Sequence, residues 1–121
     1  MYYKINKYLG SKSAILHIAD DNGETTALLA LQQPQRKIFT YIANEEKRDV
    51  AKANYINRTR SITYISSIED RAYDIIIADA DNTIPVYKAN RIVIIKDVGE
   101  EPISGFEVEV KGEGFIILRK I

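Results

Sequence analysis

Apolar residues occur along this chain in short runs separated by polar segments, and their spacing predicts strands that alternate with helices. The run Ala14–Ala19 is almost continuously apolar, which favours a central strand buried on both faces. Asp20–Gly23 is dense in turn-forming residues, and the next segment, Glu24–Leu31, has the composition of a helix that ends before Pro34. The stretch 14–33 therefore predicts a strand, a polar turn and a helix.

The same rhythm continues through the middle of the chain. A second helix is predicted over Asn44–Asn57, with Asn44 as its N-cap, whereas residues 1–10 predict no more than a helical turn. Further strands are predicted at Lys37–Ile42, Ser61–Ile65, Tyr73–Ala78 and Arg91–Lys96. Glycines flank two last runs that read as a hairpin, Gly105–Val110 and Gly114–Lys120.

Strands that alternate with helices are typical of parallel sheets with right-handed crossovers, and the closing hairpin adds an antiparallel pair. The predicted fold is α/β: a three-layer α/β/α sandwich with a mostly parallel sheet of about seven strands, ending in an antiparallel hairpin. With 121 residues, the chain is expected to form one domain over 1–121.

Composition narrows the classes of function. The chain has 17 basic and 17 acidic residues, so no excess of positive charge favours nucleic acid as a partner. It has no cysteine and one histidine, which excludes thiolate chemistry and zinc sites built on cysteine. No apolar run approaches the roughly 18 residues of a membrane span, so we expect no direct membrane insertion and a cytoplasmic location.

Several segments together resemble the class I S-adenosylmethionine (SAM)-dependent methyltransferases. The sequence ILHIADDNGETTALLAL is similar to the family's first strand, glycine-rich turn and helix, and NEEKRDVAKAN resembles its second helix. YDIIIADAD and RIVIIKD resemble the fourth and fifth strands, and GFEVEVKGEGFIILRK resembles the terminal hairpin. This resemblance covers about residues 10–121 and implies a methyltransferase-like, Rossmann-type fold.

The cofactor-binding features of that family are incomplete here. Its acidic-x-Gly-x-Gly-x-Gly turn corresponds to residues 17–23, of which Gly23 alone matches a glycine, so the binding motif is degenerate. The acidic residue that ends the second strand corresponds to Ile42 or Ala43. The residues that the resemblance assigns to cofactor binding, with Asn44 as the nearest polar substitute, are Ala19, Asp20, Asp21, Asn22, Gly23, Asn44 and Asp79.

Other polar residues are weaker candidates for chemistry. His17 lies within the first strand and is interpreted as a hydrogen-bonded histidine of the core or of its edge. Asp79, Asp81 and Asp97 follow strands four and five, where oxygen ligands could hold Mg²⁺ or Ca²⁺, although solvated loop carboxylates are the simpler interpretation. We therefore assign no catalytic residue and no metal ligand from the sequence.

The incomplete motif favours a non-catalytic, methyltransferase-like accessory or interaction domain that binds no cofactor. Its expected partner is an upstream catalytic domain or another protein, and no oligomeric state is predicted. A narrower resemblance, to the methyltransferase-like C-terminal domain of bacterial 1-acylglycerol-3-phosphate acyltransferases, implies a piece of a longer lipid acyltransferase. The alternatives are an active SAM-dependent methyltransferase with a divergent cofactor loop and a metal-dependent enzyme.

Overall fold

The fold was analysed in a computed structural model, which describes residues 2–10, 13–19, 21–33, 35–55, 61–68, 71–79, 89–95 and 104–121. These residues form three helices, α1 (Tyr2–Leu9), α2 (Glu24–Gln32) and α3 (Glu45–Tyr55). They also form seven strands: β1 (Ala14–Ala19), β2 (Lys37–Ile42), β3 (Ile62–Ile65), β4 (Tyr73–Asp79), β5 (Ala89–Ile95), β6 (Phe106–Gly112) and β7 (Phe115–Lys120).

The strands form one mixed sheet in the order β3-β2-β1-β4-β5-β7-β6. The first five strands in this order run parallel, and β7 runs antiparallel to both β5 and β6. The hairpin therefore folds back so that β7, the later of its two strands, lies between β5 and β6. This arrangement confirms the predicted α/β fold, with its seven-stranded sheet and antiparallel closing hairpin.

All three described helices cover the same face of the sheet. Ile15 of β1, Ile77 of β4 and Ile117 of β7 are buried on this face with Ile5 and Leu9 of α1. Ala51 of α3 packs nearby against the ends of β1 and β2. Burial of apolar area at about 25 cal/mol per Å² is the main force that holds these helices on the sheet.

The opposite face is buried as well. Its apolar cluster includes Leu16, Ile76, Ile92 and Leu118 from neighbouring strands. At one side the ring centroids of Phe39 and Tyr73 lie 5.8 Å apart in an edge-to-face arrangement, and the Arg71 guanidinium lies 4.4 Å from the Phe39 ring centroid. Residues 80–88, which connect β4 to β5, lie outside the described residues.

The N-terminal segment differs from its prediction, because α1 has eight residues rather than a single turn. Ile5 and Leu9 are spaced by four residues, so they share one side of the helix, and both are buried in the core. The end of the helix is capped from outside: Arg91 Nη1 donates to the Tyr8 carbonyl at 3.4 Å, and the Ser13 hydroxyl donates to the Leu9 carbonyl. Tertiary packing therefore extends a helix that is too short to be stable alone.

Candidate functional site

The described residues among those predicted to bind a cofactor lie at or just beyond the carboxyl edge of the parallel strands. Ala19 of β1 pairs with Ile42 of β2, and Ile18 pairs with Ala78, which directly precedes Asp79 on β4. In open α/β sheets, ligands bind outside this edge, where crossovers leave in opposite directions. Asp20 lies outside the described residues, as do the side chain of Asp79 and the possible metal ligands Asp81 and Asp97.

Asp21 caps the start of α2. Its carboxylate accepts hydrogen bonds from the backbone N–H of Gly23 at 2.8 Å, the backbone N–H of Thr25 at 3.4 Å and the Thr25 hydroxyl at 2.5 Å. Glu24 accepts a further bond from the backbone N–H of Asn22 at 3.1 Å. Because a helix N-terminus presents unpaired N–H groups and a partial positive charge, both carboxylates are stabilised there. Donors that could hold an anionic ligand are instead bonded to this protein's own side chains.

A glycine is needed at position 23 for two reasons, its backbone conformation and the close packing of α3. Its φ of 96° lies in the left-handed region, where a side chain is strained. A Cβ built at this position would lie 2.7 Å from the Cβ of Ala51 and 3.1 Å from the Tyr55 ring, so α3 occupies the space beside it. The glycine that matches the family motif therefore allows α3 to approach the start of α2.

The end of β2 lacks an acidic side chain. Ile42 is buried in the cluster with Ala19 and Ala51, and Ala43 is exposed. Asn44 is exposed and forms the predicted N-cap of α3, because its side-chain oxygen accepts a hydrogen bond from the Lys47 backbone N–H at 3.0 Å. Asn44 is therefore the polar side chain at this position, and its oxygen is already bonded to the helix.

Three polar side chains are buried just beneath the turn. His17 Nδ1 lies 2.8 Å from the Thr26 hydroxyl, which is 3.2 Å from the hydroxyl of Thr40. Burial lowers the pKa of His17 to about 4, and the negative charge of Asp21 opposes that shift. His17 is thus a core histidine, as predicted, but Thr26 and Thr40 were not singled out. The alternation of β2 places Thr40 on the same side as Ile38 and Ile42, which marked it as an inward-facing residue.

No family model and no curated protein matches this chain, but many solved structures share its fold. TrmN from Thermus thermophilus superposes with a TM-score of 0.73 and 13% identity, over 99% of this chain and 48% of its own. MtNAS in complex with SAM gives a TM-score of 0.75 and 11% identity, over 98% of this chain and 61% of the MtNAS chain. TrmK from M. capricolum, bound to S-adenosylhomocysteine (SAH), gives a TM-score of 0.66 and 13% identity, over 98% of this chain and 67% of the TrmK chain.

These comparisons place the chain in the class of α/β folds that SAM-dependent methyltransferases share. The chain spans about half the length of the TrmN structure, although almost all of it is matched. The likeness at these identities concerns the fold. It agrees with the resemblance seen in the sequence, including the terminal hairpin.

The expectation that this domain binds no cofactor is wrong. It rested on the degenerate glycine motif and on the missing acidic residue at the end of β2, yet structures with the same fold over 98% of this chain carry SAM or SAH.

Proposed function

We propose that this chain binds SAM at the carboxyl edge of β1, β2 and β4 and serves as a SAM-dependent methyltransferase domain with a divergent cofactor loop. The observation that supports this most strongly is the sheet order, with β7 inserted antiparallel between β5 and β6, in a fold that matches a SAM-bound structure over 98% of the chain.

The chemistry of the turn fits part of the cofactor. SAM carries a cationic sulfonium and a cationic amino group, and the carboxylates of Asp21 and Glu24 are suited to attract both. Asn44 offers an amide at the end of β2 for hydroxyl groups of the ribose. The cofactor's own carboxylate fits less well, because Asp21 already accepts the bonds of the Gly23 and Thr25 N–H groups. When bound, SAM supplies an electrophilic methyl group.

This electrostatic argument predicts that the site prefers SAM to SAH, which lacks the sulfonium charge. Replacing Asp21 with asparagine removes the charge and retains one acceptor oxygen, which can keep the bonds from Thr25 at the start of α2 while the bond from the Gly23 N–H is lost. We expect Asp21→Asn to weaken SAM binding by about threefold to fivefold, which corresponds to about 0.6–1 kcal/mol for a partly exposed charge. The SAH affinity should change less.

Titration calorimetry with SAM and SAH measures both affinities. Glu107→Gln is the control, because Glu107 is exposed and pairs with Arg119 at 2.6 Å. It belongs to β6, the outermost strand on the side of the sheet away from β1 and β2. This variant should leave both affinities unchanged. No heat from SAM at millimolar concentration would overturn cofactor binding, and equal losses for SAM and SAH in Asp21→Asn would overturn the charge argument.

A second candidate is a non-catalytic accessory or interaction domain, including the C-terminal part of a lipid acyltransferase. It is favoured by apolar side chains on the outer side of α2, where Leu28 is 50% and Leu31 is 65% exposed. Incubation with methyl-labelled SAM and the RNA, protein and small-molecule fractions of the source cell separates the candidates. Label transfer to any fraction supports the enzyme, whereas cofactor binding without transfer supports the accessory domain.

A further inference from the structure

The buried polar group beneath the cofactor turn connects three elements. His17 lies in the middle of β1, Thr40 pairs with it on β2, and Thr26 belongs to the first turn of α2. All three residues are at most 1% exposed. Buried polar groups of this kind are stable only when they are hydrogen-bonded, so their mutual contacts fix the height of α2 above the two strands.

The contacts favour one direction of hydrogen bonding. The Thr40 and Thr26 hydroxyls lie 3.2 Å apart, and if Thr40 is the donor of this pair, the single hydroxyl proton of Thr26 is left to point at His17 Nδ1, 2.8 Å away. Nδ1 then accepts a hydrogen bond and carries no proton. A neutral imidazole in this arrangement has its proton on Nε2.

The link continues from the core to the turn. Thr26 directly follows Thr25, whose hydroxyl and backbone N–H both donate to the carboxylate of Asp21. Asp21 in turn holds the Gly23 N–H. The position of the acidic turn is therefore connected to the sheet through Thr26 and His17.

We propose that His17, as a neutral imidazole with its proton on Nε2, is a positioning residue that holds the first turn of α2 and the turn of residues 21–23 over the end of β1. Its role in cofactor binding rests on the proposed function, whereas its role in ordering the turn does not. His17 acts through Thr26 and does not itself touch the ligand. The charged residue of the turn whose field acts on it is Asp21.

The tautomer is tested in the free protein by long-range ¹H–¹⁵N spectra of the imidazole. His17 is the only histidine in the sequence, so its signals need no assignment by mutation. A protonated Nε2 with an unprotonated Nδ1 at neutral pH is the expected result. A proton on Nδ1 would overturn the inferred direction of the hydrogen bonds.

The positioning role is tested with matched variants of Thr26. Thr26→Val keeps the shape and removes the hydroxyl, whereas Thr26→Ser keeps the hydroxyl. We expect the amide protons of Gly23 and Thr25 to exchange about tenfold faster in Thr26→Val and close to the wild-type rate in Thr26→Ser. Amides of Val93 and Ile117, which belong to the paired strands β5 and β7, report global opening and should change less.

SAM affinity is measured on the same variants. It should fall about tenfold in Thr26→Val and stay within about twofold in Thr26→Ser. If the wild-type chain does not bind SAM, the proposed function fails, and amide exchange still decides whether the turn is held. Unchanged exchange at Gly23 and Thr25 in Thr26→Val, or equal acceleration at Val93 and Ile117, would overturn the positioning role.

Discussion

His17 shows how a buried ionisable residue makes stability depend on pH. Its folded pKa of about 4 is below its ordinary value of 6.5, because burial disfavours the charged imidazolium. The unfolded chain therefore binds more protons than the folded chain between these two values. Stability contributed by the neutral histidine is complete above pH 6.5 and is lost as the pH falls towards 4.

We expect acidification from pH 7 to pH 4 to remove about 3 kcal/mol through His17 alone, at 1.36 kcal/mol per unit of pKa. Urea unfolding at several pH values measures this loss. His17→Asn retains an acceptor near Nδ1 and cannot titrate, so its stability should change little between pH 6.5 and 5, above the range of ordinary carboxylates. The same pH dependence in both proteins would contradict the assignment.

At the scale of single residues, the sequence predicted local roles, such as turn formation and capping, more reliably than contacts between distant residues. The turn-forming character of Asp21 and Asn22 was evident, and so was the capping role of Asn44. The bond between His17 and Thr26 could not be predicted, because it depends on how far α2 sits above β1. The assignment of Ala19, Asn22 and Asp79 to a cofactor stays a prediction.

At the scale of elements, the start of α2 packs directly on α3 through Gly23. Gly23→Ala adds a Cβ that would overlap with the Cβ of Ala51 at 2.7 Å, in a backbone conformation that already disfavours alanine. The backbone term is about 1 kcal/mol and overpacking adds about 1–3 kcal/mol. We therefore expect Gly23→Ala to lower the free energy of unfolding by roughly 2–4 kcal/mol.

Gly105→Ala is the matched control for this prediction. Gly105 also has a positive φ, of 87°, but no atom lies within 4 Å of the position of an added Cβ. It should lose only the backbone term of about 1 kcal/mol in the same urea titration. Equal losses in the two variants would show that contact with α3 contributes nothing.

The strands were predicted closely because most of them are buried, and buried parallel strands have continuous apolar runs. β1 and β2 have the predicted bounds, and β5 begins two residues earlier than predicted, at Ala89. The helix α1 was underestimated because its stability comes from Ile5 and Leu9 packing on distant strands. Local sequence carries little information about such contacts.

For the whole molecule, β7 connects the parallel part of the sheet to β6. Ile117 of β7 is fully buried and pairs with Val93 on one side and Val110 on the other. Ile117→Ala should lower the free energy of unfolding by about 2–5 kcal/mol, because the shorter side chain leaves a cavity where β7 joins the two parts of the sheet. Val108→Ala is the control, since Val108 is 53% exposed and should lose less than about 1 kcal/mol.

Circular dichroism and tyrosine fluorescence during urea unfolding measure this effect with independent probes. If the sheet unfolds as one unit, both transitions in Ile117→Ala should move together to lower urea. Separate transitions would show that the hairpin unfolds independently of the parallel strands. Such a result would contradict the view of β7 as an integral strand of the core.

The overall class was accessible from the sequence, but function was less so. The order of strands and helices predicted an α/β methyltransferase-like fold, which the structure and the comparisons confirm. The degenerate turn and the missing acidic residue at the end of β2 led to the expectation of no cofactor, which the comparisons contradict. The acyltransferase connection, the partner and the cytoplasmic location stay predictions. None of the helices in the described ranges is long and apolar enough to cross a bilayer.

The placement of β7 also has a consequence for synthesis of the chain. β5 is rich in isoleucine, and its outer edge is paired by β7, which is made only after β6. As the polypeptide leaves the ribosome, the parallel strands can assemble while this edge still lacks its neighbour. An unpaired apolar edge is a site of aggregation, so the nascent protein passes through a vulnerable stage that ends when the last strand inserts.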